Sequence, residues 1–174
     1  MKKLFLIVLL YLFSINLNAQ DTSFTFDDTT FILGATNIIE AVEYTNELDK
    51  YYFNKDKIDE LALFLISNSE LKIEIICNAD FDDSPLLSMM VTSDQATDIK
   101  MYLVKQGVKG TRIETYGNGN MNPVIHENEM VYMDENGIKD ANKKNRRIEI
   151  KIIENMPMIT KKPSKGIQSY PSRF

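Results

Sequence analysis

Two stretches of alternating apolar and polar residues constrain the fold of this chain more than any other feature. Leu71 to Cys77 alternates Leu, Ile and Ile with Lys and Glu, and Arg147 to Ile153 alternates three isoleucines with Glu and Lys. A period of two is typical of a β-strand that buries one face. Since stretches with helical spacing lie between and before them, the pattern predicts a sheet covered by helices.

Two helices are predicted, each from a different signal. Over residues 56–68, apolar side chains recur at i, i+3, i+4, i+7 and i+8, which is typical of an amphipathic helix. Ser84 and Pro85 fit an N-cap followed by proline at the first helical position. Gly107 fits the left-handed position beyond the last turn, so the second helix is predicted to end at Gln106.

The chain before the first helix is ambiguous. Phe31–Gly34 is predicted to be a first strand. Asn37 and Glu40 have the spacing of a capping box, which favours a helix, whereas Tyr51–Phe53 has the composition of a short strand. Both alternatives stay open for this region.

The remaining elements complete the expected architecture. Arg112–Tyr116 is predicted to be a short strand, and the polar stretch 124–144 is interpreted as a long surface loop. The order strand, helix, strand, helix, strand, loop, strand favours an α+β fold. We expect a two-layer sandwich of βαβαβ-β order, with two helices on one face of a mixed four-stranded sheet.

Both ends of the chain differ in composition from the part between them. Residues 1–19 combine a basic start, ten apolar residues and a final alanine, which predicts a signal peptide cleaved after Ala19. A transmembrane anchor is the alternative, but spanning a bilayer takes about 20 apolar residues. Residues 154–174 contain three prolines and four basic residues, which predicts a flexible basic tail. The domain itself is therefore expected to occupy residues 20–153.

Charge and reactive side chains exclude several function classes. The chain has 20 basic and 25 acidic residues, and this acidic balance argues against broad binding to nucleic acid or anionic lipid. Cys77 is the sole cysteine, so it has no partner for an internal disulfide. His126 is the sole histidine and lacks the second histidine of a zinc helix. We therefore predict a noncatalytic protein without a cofactor or metal.

The motif order resembles the OmpA-like peptidoglycan-binding domain of bacterial envelope proteins, most clearly over residues 56–153. At the end of its second strand the family has Gly-His-Thr-Asp, and this chain has Cys77-Asn78-Ala79-Asp80 there. The other matching motifs are Gly107-Val108, Arg112-Ile113, Tyr116-Gly117, Asn122-Pro123 and Asn145-Arg146-Arg147-Ile148-Glu149-Ile150. The resemblance implies a groove for the peptide stem of peptidoglycan.

The resemblance also implies the residues of that groove. In the family, the strand-end acid binds the ammonium of diaminopimelate and a helix arginine binds its carboxylate. Asp80 matches the acid, whereas Gln95 replaces the arginine fifteen residues later. Asp80, Gln95, Asn145, Arg146 and Arg147 are the expected ligand-binding residues, and binding is expected to be weakened or altered.

The resemblance places the chain in the cell envelope of a Gram-negative bacterium. The expected compartment is the periplasm, or the periplasmic side of the outer membrane, with no transmembrane segment after signal cleavage. The expected partners are peptidoglycan and other envelope proteins, and nucleic acid is not among them.

Each candidate residue also has a purely structural interpretation. Asp80 suits an Asx-turn, and Gln95 suits a helix cap three residues after Thr92, or a surface amide. Arg146 and Arg147 should point to opposite faces, one of them pairing with an acid such as Asp80. On these interpretations the chain is a degenerate OmpA-like scaffold that binds proteins, with the stretch 124–144 and the basic tail as its working surfaces.

Overall fold

The computed structural model describes residues 22–41, 53–81 and 84–155. Its strands are β1 (Thr36–Glu40), β2 (Leu71–Asn78), β3 (Ile113–Gly119) and β4 (Arg147–Asn155). Its helices are α1 (Lys55–Ser67), α2 (Pro85–Lys105), α3 (Glu127–Met130) and α4 (Glu135–Asn145). The strands form one sheet in the order β1-β4-β2-β3, in which β4 is antiparallel to both neighbours and β2 is parallel to β3. The predicted α+β fold with a mixed four-stranded sheet is confirmed.

One face of the sheet carries the core. Side chains of β2 and β4 alternate between buried and partly exposed, as the period of two predicts. Both long helices cover the buried face, since residues of α1 and α2 join the same apolar cluster as the strands. The buried side chains at its centre are Ile58, Leu61, Leu65, Ile73, Ile75, Cys77, Ala96, Ile99, Leu103, Ile148 and Ile150.

The N-terminal predictions need correction. Phe31–Gly34 is not a strand, because the first strand begins at Thr36 and pairs there with β4. Asn37 and Glu40 do not cap a helix, since both lie in that extended strand. Phe31 instead packs its ring on Phe64 of α1, with centroids 5.3 Å apart. Tyr51 and Tyr52 lie outside the described residues.

The stretch 124–144 was also predicted wrongly, because it folds into α3 and most of α4 instead of a loop. Side-chain caps at the start of each helix stabilise them despite the low apolar content of the stretch. Glu129 accepts a hydrogen bond from the backbone of His126, and Asp134 accepts one from Gly137. Met130 and Ala141 supply the buried contacts.

The chain ends lie largely outside the described part of the protein. The predicted signal peptide lies entirely within residues 1–21, which are outside the described residues. The predicted tail also lies outside them from residue 156 onward. The last strand continues to Asn155, two residues past the expected end of the domain. Within residues 22–41, 53–81 and 84–155, no helix combines the length and apolar character needed to cross a bilayer.

Arg112 links the loop after α1 to the start of β2. Its guanidinium donates to three backbone carbonyls, those of Leu71 at 2.7 Å, Leu65 at 3.0 Å and Asn68 at 2.7 Å. The last carbonyls of a helix have no partner within the helix. The guanidinium of Arg112 supplies hydrogen bonds to such carbonyls at the end of α1.

We expect Arg112→Ala to lower the free energy of unfolding by about 2–4 kcal/mol, since hydrogen bonds from a charged donor contribute roughly 1.5–3 kcal/mol each and partly compensate for burial. Urea denaturation measures the change. Lys105→Ala, at an exposed basic residue in the last turn of α2, is the control and should change stability by less than about 0.5 kcal/mol. Equal stability of the two variants would contradict the anchoring role of Arg112.

Gly117 sets the distance between β3 and α2. A Cβ atom at this position would overlap the backbone nitrogen of Ser93, which cannot move without shifting the helix. At Gly110, by contrast, a Cβ would meet side-chain atoms and no backbone, those of Val104 at 3.3 Å and Lys100 at 4.0 Å.

Gly117→Ala should therefore destabilise the domain by about 1–3 kcal/mol, the usual cost of overpacking. Gly110→Ala is the matched control, for which we expect a much smaller effect. Thermal unfolding of both variants checks the difference. If Gly117→Ala unfolded at the wild-type temperature, the close approach of β3 to α2 would be wrong.

Candidate ligand-binding site

Asp80 and Arg146 form a largely buried ion pair at one end of the sheet. Asp80 follows β2 and Arg146 precedes β4, so the antiparallel pairing of these strands brings the two residues together. Nη1 of Arg146 lies 2.7 Å from Oδ2 of Asp80, and the two side chains are 21% and 8% exposed. Two opposite charges are thus held side by side where little water screens them.

A chain of hydrogen bonds fixes the loop that carries Asp80. The backbone nitrogen of Ala79 donates to Gly119 at 2.8 Å, and Gly119 donates its own N–H to Oγ1 of Thr92 at 3.0 Å. Nδ2 of Asn118 donates to Oδ1 of Asn78 at 2.9 Å. The ends of β2 and β3 are therefore tied to each other and to α2, which limits the movement of Asp80.

Gln95 lies on the buried face of α2, and its residue is only 8% exposed. The helix begins at Pro85, with the Ser84 side chain accepting from Leu87, so the interpretation of Gln95 as a cap is wrong. Its burial also excludes the interpretation as a surface amide. Gln95 follows Thr92 by three residues, about 4.5 Å along the helix axis, on the same inner face.

Asn145 is fully buried and its amide is engaged by the protein. Its Oδ1 accepts from the backbone nitrogens of Val124 and Ile125, both at 2.9 Å, and its Nδ2 donates to the carbonyl of Ile125 at 2.8 Å. The residue therefore fastens the loop after β3 to the end of α4, directly before Arg146. Its place in the structure is that of a positioning residue.

Arg147 lies on the opposite face of the sheet from the core. Nη2 lies 2.5 Å from Oε1 of Glu149, and the guanidinium also donates to the carbonyls of Asn122 and Asn145. Glu149 in turn accepts from Nδ2 of Asn78 at 3.2 Å. The two arginines thus diverge as the alternation predicts, and both form ion pairs.

Of the five predicted residues, the structure therefore pairs Asp80 with Arg146, while Asn145 and Arg147 engage the loop at 122–125. Two further buried polar residues hold this end of the sheet and were not predicted from the sequence, namely Asn78 and Asn118. Asn118 lies between Gly117 and Gly119, a sequence that is typical of a turn, whereas in the structure it belongs to β3 and is buried. Within the described residues, no cluster of three or more histidine, cysteine or acidic side chains could hold a metal ion.

Comparisons with known proteins agree with this architecture. The chain is 29% identical over 103 residues to a peptidoglycan-associated lipoprotein of Buchnera aphidicola subsp. Baizongia pistaciae, a match covering 59% of this chain and 58% of that protein. The chain thus spans little more than half the length of that relative. The peptidoglycan-associated lipoprotein from Burkholderia pseudomallei has a similar structure, with a TM-score of 0.50, 20% identity, and coverage of 65% of this chain and 87% of that one.

The periplasmic domain of Helicobacter pylori MotB superposes with a TM-score of 0.53 and 16% identity over 77% of this chain and 86% of that one. The described residues of this chain therefore have the OmpA-like fold that its motifs indicated. No protein-family model matches the chain. The resemblance found in the motifs is therefore confirmed by this relative and these structures, although it is too distant for a family profile. Gln95, which stands where the family has an arginine, lies on the buried face of α2.

We expect Asn145→Ala to lower the free energy of unfolding by about 2–4 kcal/mol, because three hydrogen bonds to a fully buried amide are lost and two backbone N–H groups and a carbonyl lose their partner. Asn155→Ala is the control, since Asn155 is exposed and donates one long hydrogen bond to Phe31. Urea denaturation measures both variants. Hydrogen exchange at Val124 and Ile125 should accelerate only in Asn145→Ala, and unchanged exchange there would contradict the fastening role.

Proposed function

We propose that this OmpA-like domain is a noncatalytic module of the Gram-negative cell envelope that binds the diaminopimelate stem of peptidoglycan. Its place would be the periplasm or the periplasmic side of the outer membrane. The observation that carries the proposal is the buried pair of Asp80 and Arg146 at the strand end. Two of the proteins that it resembles are named peptidoglycan-associated lipoproteins.

The chemistry of the ligand matches that pair. The free amino-acid end of diaminopimelate carries an ammonium and a carboxylate a few ångströms apart, so a receptor needs one anion and one cation at similar separation. Asp80 supplies the anion. The guanidinium of Arg146 supplies the cation, and its planar fork can hold a carboxylate through two parallel hydrogen bonds.

On this proposal, binding exchanges one internal ion pair for two pairs with the ligand. Asp80 turns from Arg146 to the ligand ammonium, and Arg146 turns to the ligand carboxylate. The net charge of the site stays the same, which avoids leaving a buried charge without a partner. The cost is the opening of the internal pair, and this cost lowers affinity relative to a receptor whose cation is held elsewhere.

Gln95 takes a smaller part than the arginine it replaces. Its amide can donate one hydrogen bond to the ligand carboxylate but supplies no charge. Hydrogen bonds to charged groups contribute roughly 1.5–3 kcal/mol, so losing the charged fork should weaken binding by about one to two orders of magnitude. Asn145 and Arg147 do not contact the ligand on this proposal. They hold the loop after β3 and the start of β4, and so fix the position of Arg146.

Sedimentation with purified diaminopimelate-type cell walls tests the proposal. Asp80→Asn and Arg146→Gln should each reduce bound protein about tenfold or more, because each leaves one ligand charge without a partner. Asp94→Asn is the matched control, since Asp94 is an exposed acid on the outer side of α2. Gln95→Arg should increase binding about tenfold, a gain that misfolding cannot imitate.

Thermal unfolding of each variant separates lost binding from lost structure. If wild-type protein failed to sediment at low salt beside a working positive control, wall binding would be refuted. Wild-type binding by folded Asp80→Asn would refute the role of the ion pair.

A second candidate function is the protein-interaction module, and one observation favours it. Val131 and Tyr132, between α3 and α4, are 75% and 90% exposed. Large apolar side chains that project together from a folded turn are typical of contact surfaces. A photo-crosslinking residue at position 132 should then capture an envelope protein, and Asp80→Ala should leave that product unchanged. Loss of the product in Asp80→Ala would tie the contact to the wall site instead.

A further inference from the structure

A cleft of about 860 Å³ lies between β1, α1 and the segment that precedes β1. Its walls include Thr25–Asp27, Asn37–Glu40 and residues along α1 from Lys57 to Ser67. None of the five residues of the candidate ligand-binding site lines it. We refer to this space as the edge cleft, because β1 is an edge strand of the sheet.

Among the described residues, no strand pairs with the outer edge of β1 beyond Thr36. The backbone N–H and C=O of Thr36 point away from β4, since they bond to Thr22 at 2.8 Å and Phe24 at 3.3 Å. Ala41 donates instead to Arg146, on the β4 side. Because backbone groups alternate along a strand, those of Ile38 and Glu40 must also point away from β4. Nothing among the described residues donates to or accepts from these outward groups.

The edge cleft is acidic. The charged residues that line it are Asp27, Glu40, Glu60 and Lys57, three acids and one base. Lys57 pairs with Glu60 at 2.8 Å and Lys143 pairs with Glu40 at 3.4 Å, but the side chains of both pairs are at least half exposed. Such exposed pairs are weak, and acids still outnumber bases around the cleft. An occupant with basic residues and few acids is therefore favoured electrostatically.

This chain carries such a segment. At least 19 residues follow Asn155, and residues 156–174 contain Lys161, Lys162, Lys165 and Arg173 but no acid. Ser164–Tyr170 lies between two prolines and includes Ile167 and Tyr170, both of which favour extended structure. Prolines at both ends of a short run suit an edge strand of limited length.

The chain also leaves the described domain beside the edge cleft. Asn155 donates to the carbonyl of Phe31, and Phe31 packs on Phe64, which lines the cleft. Ile38 pairs with Glu149, six residues back along β4 from Asn155, which corresponds to about 20 Å. Residues 156–163 span about 26 Å when extended, so the run that begins at Ser164 can reach Ile38.

We propose that Ser164–Tyr170 of this chain occupies the edge cleft as an added strand beside Ile38–Glu40. The outward groups of Ile38 and Glu40 then gain backbone partners, and the lysines that precede and open the run lie against Asp27 and Glu40. The tether holds the segment at an effective concentration on the order of millimolar, so even a weak contact is populated. An edge covered in this way is closed to a second copy of the protein.

Disulfide trapping in the full chain tests the proposal. Ile38→Cys is combined with Ile167→Cys or with Gln168→Cys, because neighbouring strand residues face opposite sides and one of them must share the face of Ile38. The matched control pairs the same tail cysteines with Tyr116→Cys, an exposed position on β3 at the opposite edge of the sheet. Native Cys77 should not form disulfides in this experiment, because it is fully buried and burial raises the pKa of its thiol to about 12.

One tail position should crosslink to Ile38→Cys at least about tenfold faster than to Tyr116→Cys, within a single chain and at a rate independent of protein concentration. Replacing Lys161, Lys162 and Lys165 by glutamine should slow this crosslink, and so should high salt. Equal rates at both edges would overturn the proposal. Crosslinks that form only between chains, in proportion to concentration, would overturn it in favour of a second copy as the occupant.

Discussion

The central constraint in this structure is the antiparallel pairing of β2 with β4. These two strands lie in the middle of the sheet, and their buried residues form the floor of the core. Their register also places the end of β2 beside the start of β4, with Asn78 opposite Arg147. Residues just outside that pair, Asp80 and Arg146, therefore meet at the same end of the sheet. The site thus depends on the register that forms the core.

A buried ion pair contributes little net stability to the contact between two loops. Removing both charges from water costs several kcal/mol, and the attraction between them often does no more than offset that cost. Apolar residues of similar size would stabilise such a position at least as well. On the proposed function, Asp80 and Arg146 hold two opposite charges in place for a ligand that carries both. In this account Arg146 provides the cation that Gln95 lacks.

The fold was predictable from the sequence where periodicity was strong. Isoleucines with a period of two predicted β2 and β4, and the stripe from Ile58 to Leu65 predicted α1. Prediction failed where tertiary contacts or caps outweighed pattern. Thr36–Glu40 has no clear alternation of its own and becomes a strand because β4 offers an edge, whereas Asp134 caps a helix in a stretch with almost no apolar face.

The candidate site was predictable in part, and for a physical reason. Motif order pointed to Asp80 and Arg146, but no local pattern distinguishes a charged side chain that meets another element from one that meets solvent. For the same reason Asn145 was expected to contact ligand, although its three hydrogen bonds hold the loop at Val124 and Ile125. The burial of Gln95 likewise follows from the rotation of α2, which Gly117 and Ser93 set by close contact.

The central claim is that the internal pair opens to admit a zwitterion. The most direct measurement is an NMR titration of the protein with a diaminopimelate-containing stem peptide, observing the guanidinium of Arg146 and the carboxyl carbon of Asp80. Both signals should shift together along one saturation curve, and a stem peptide ending in an uncharged amide should move neither. Shifts elsewhere with both signals unchanged, or binding in which Asp80 and Arg146 stay paired, would contradict it.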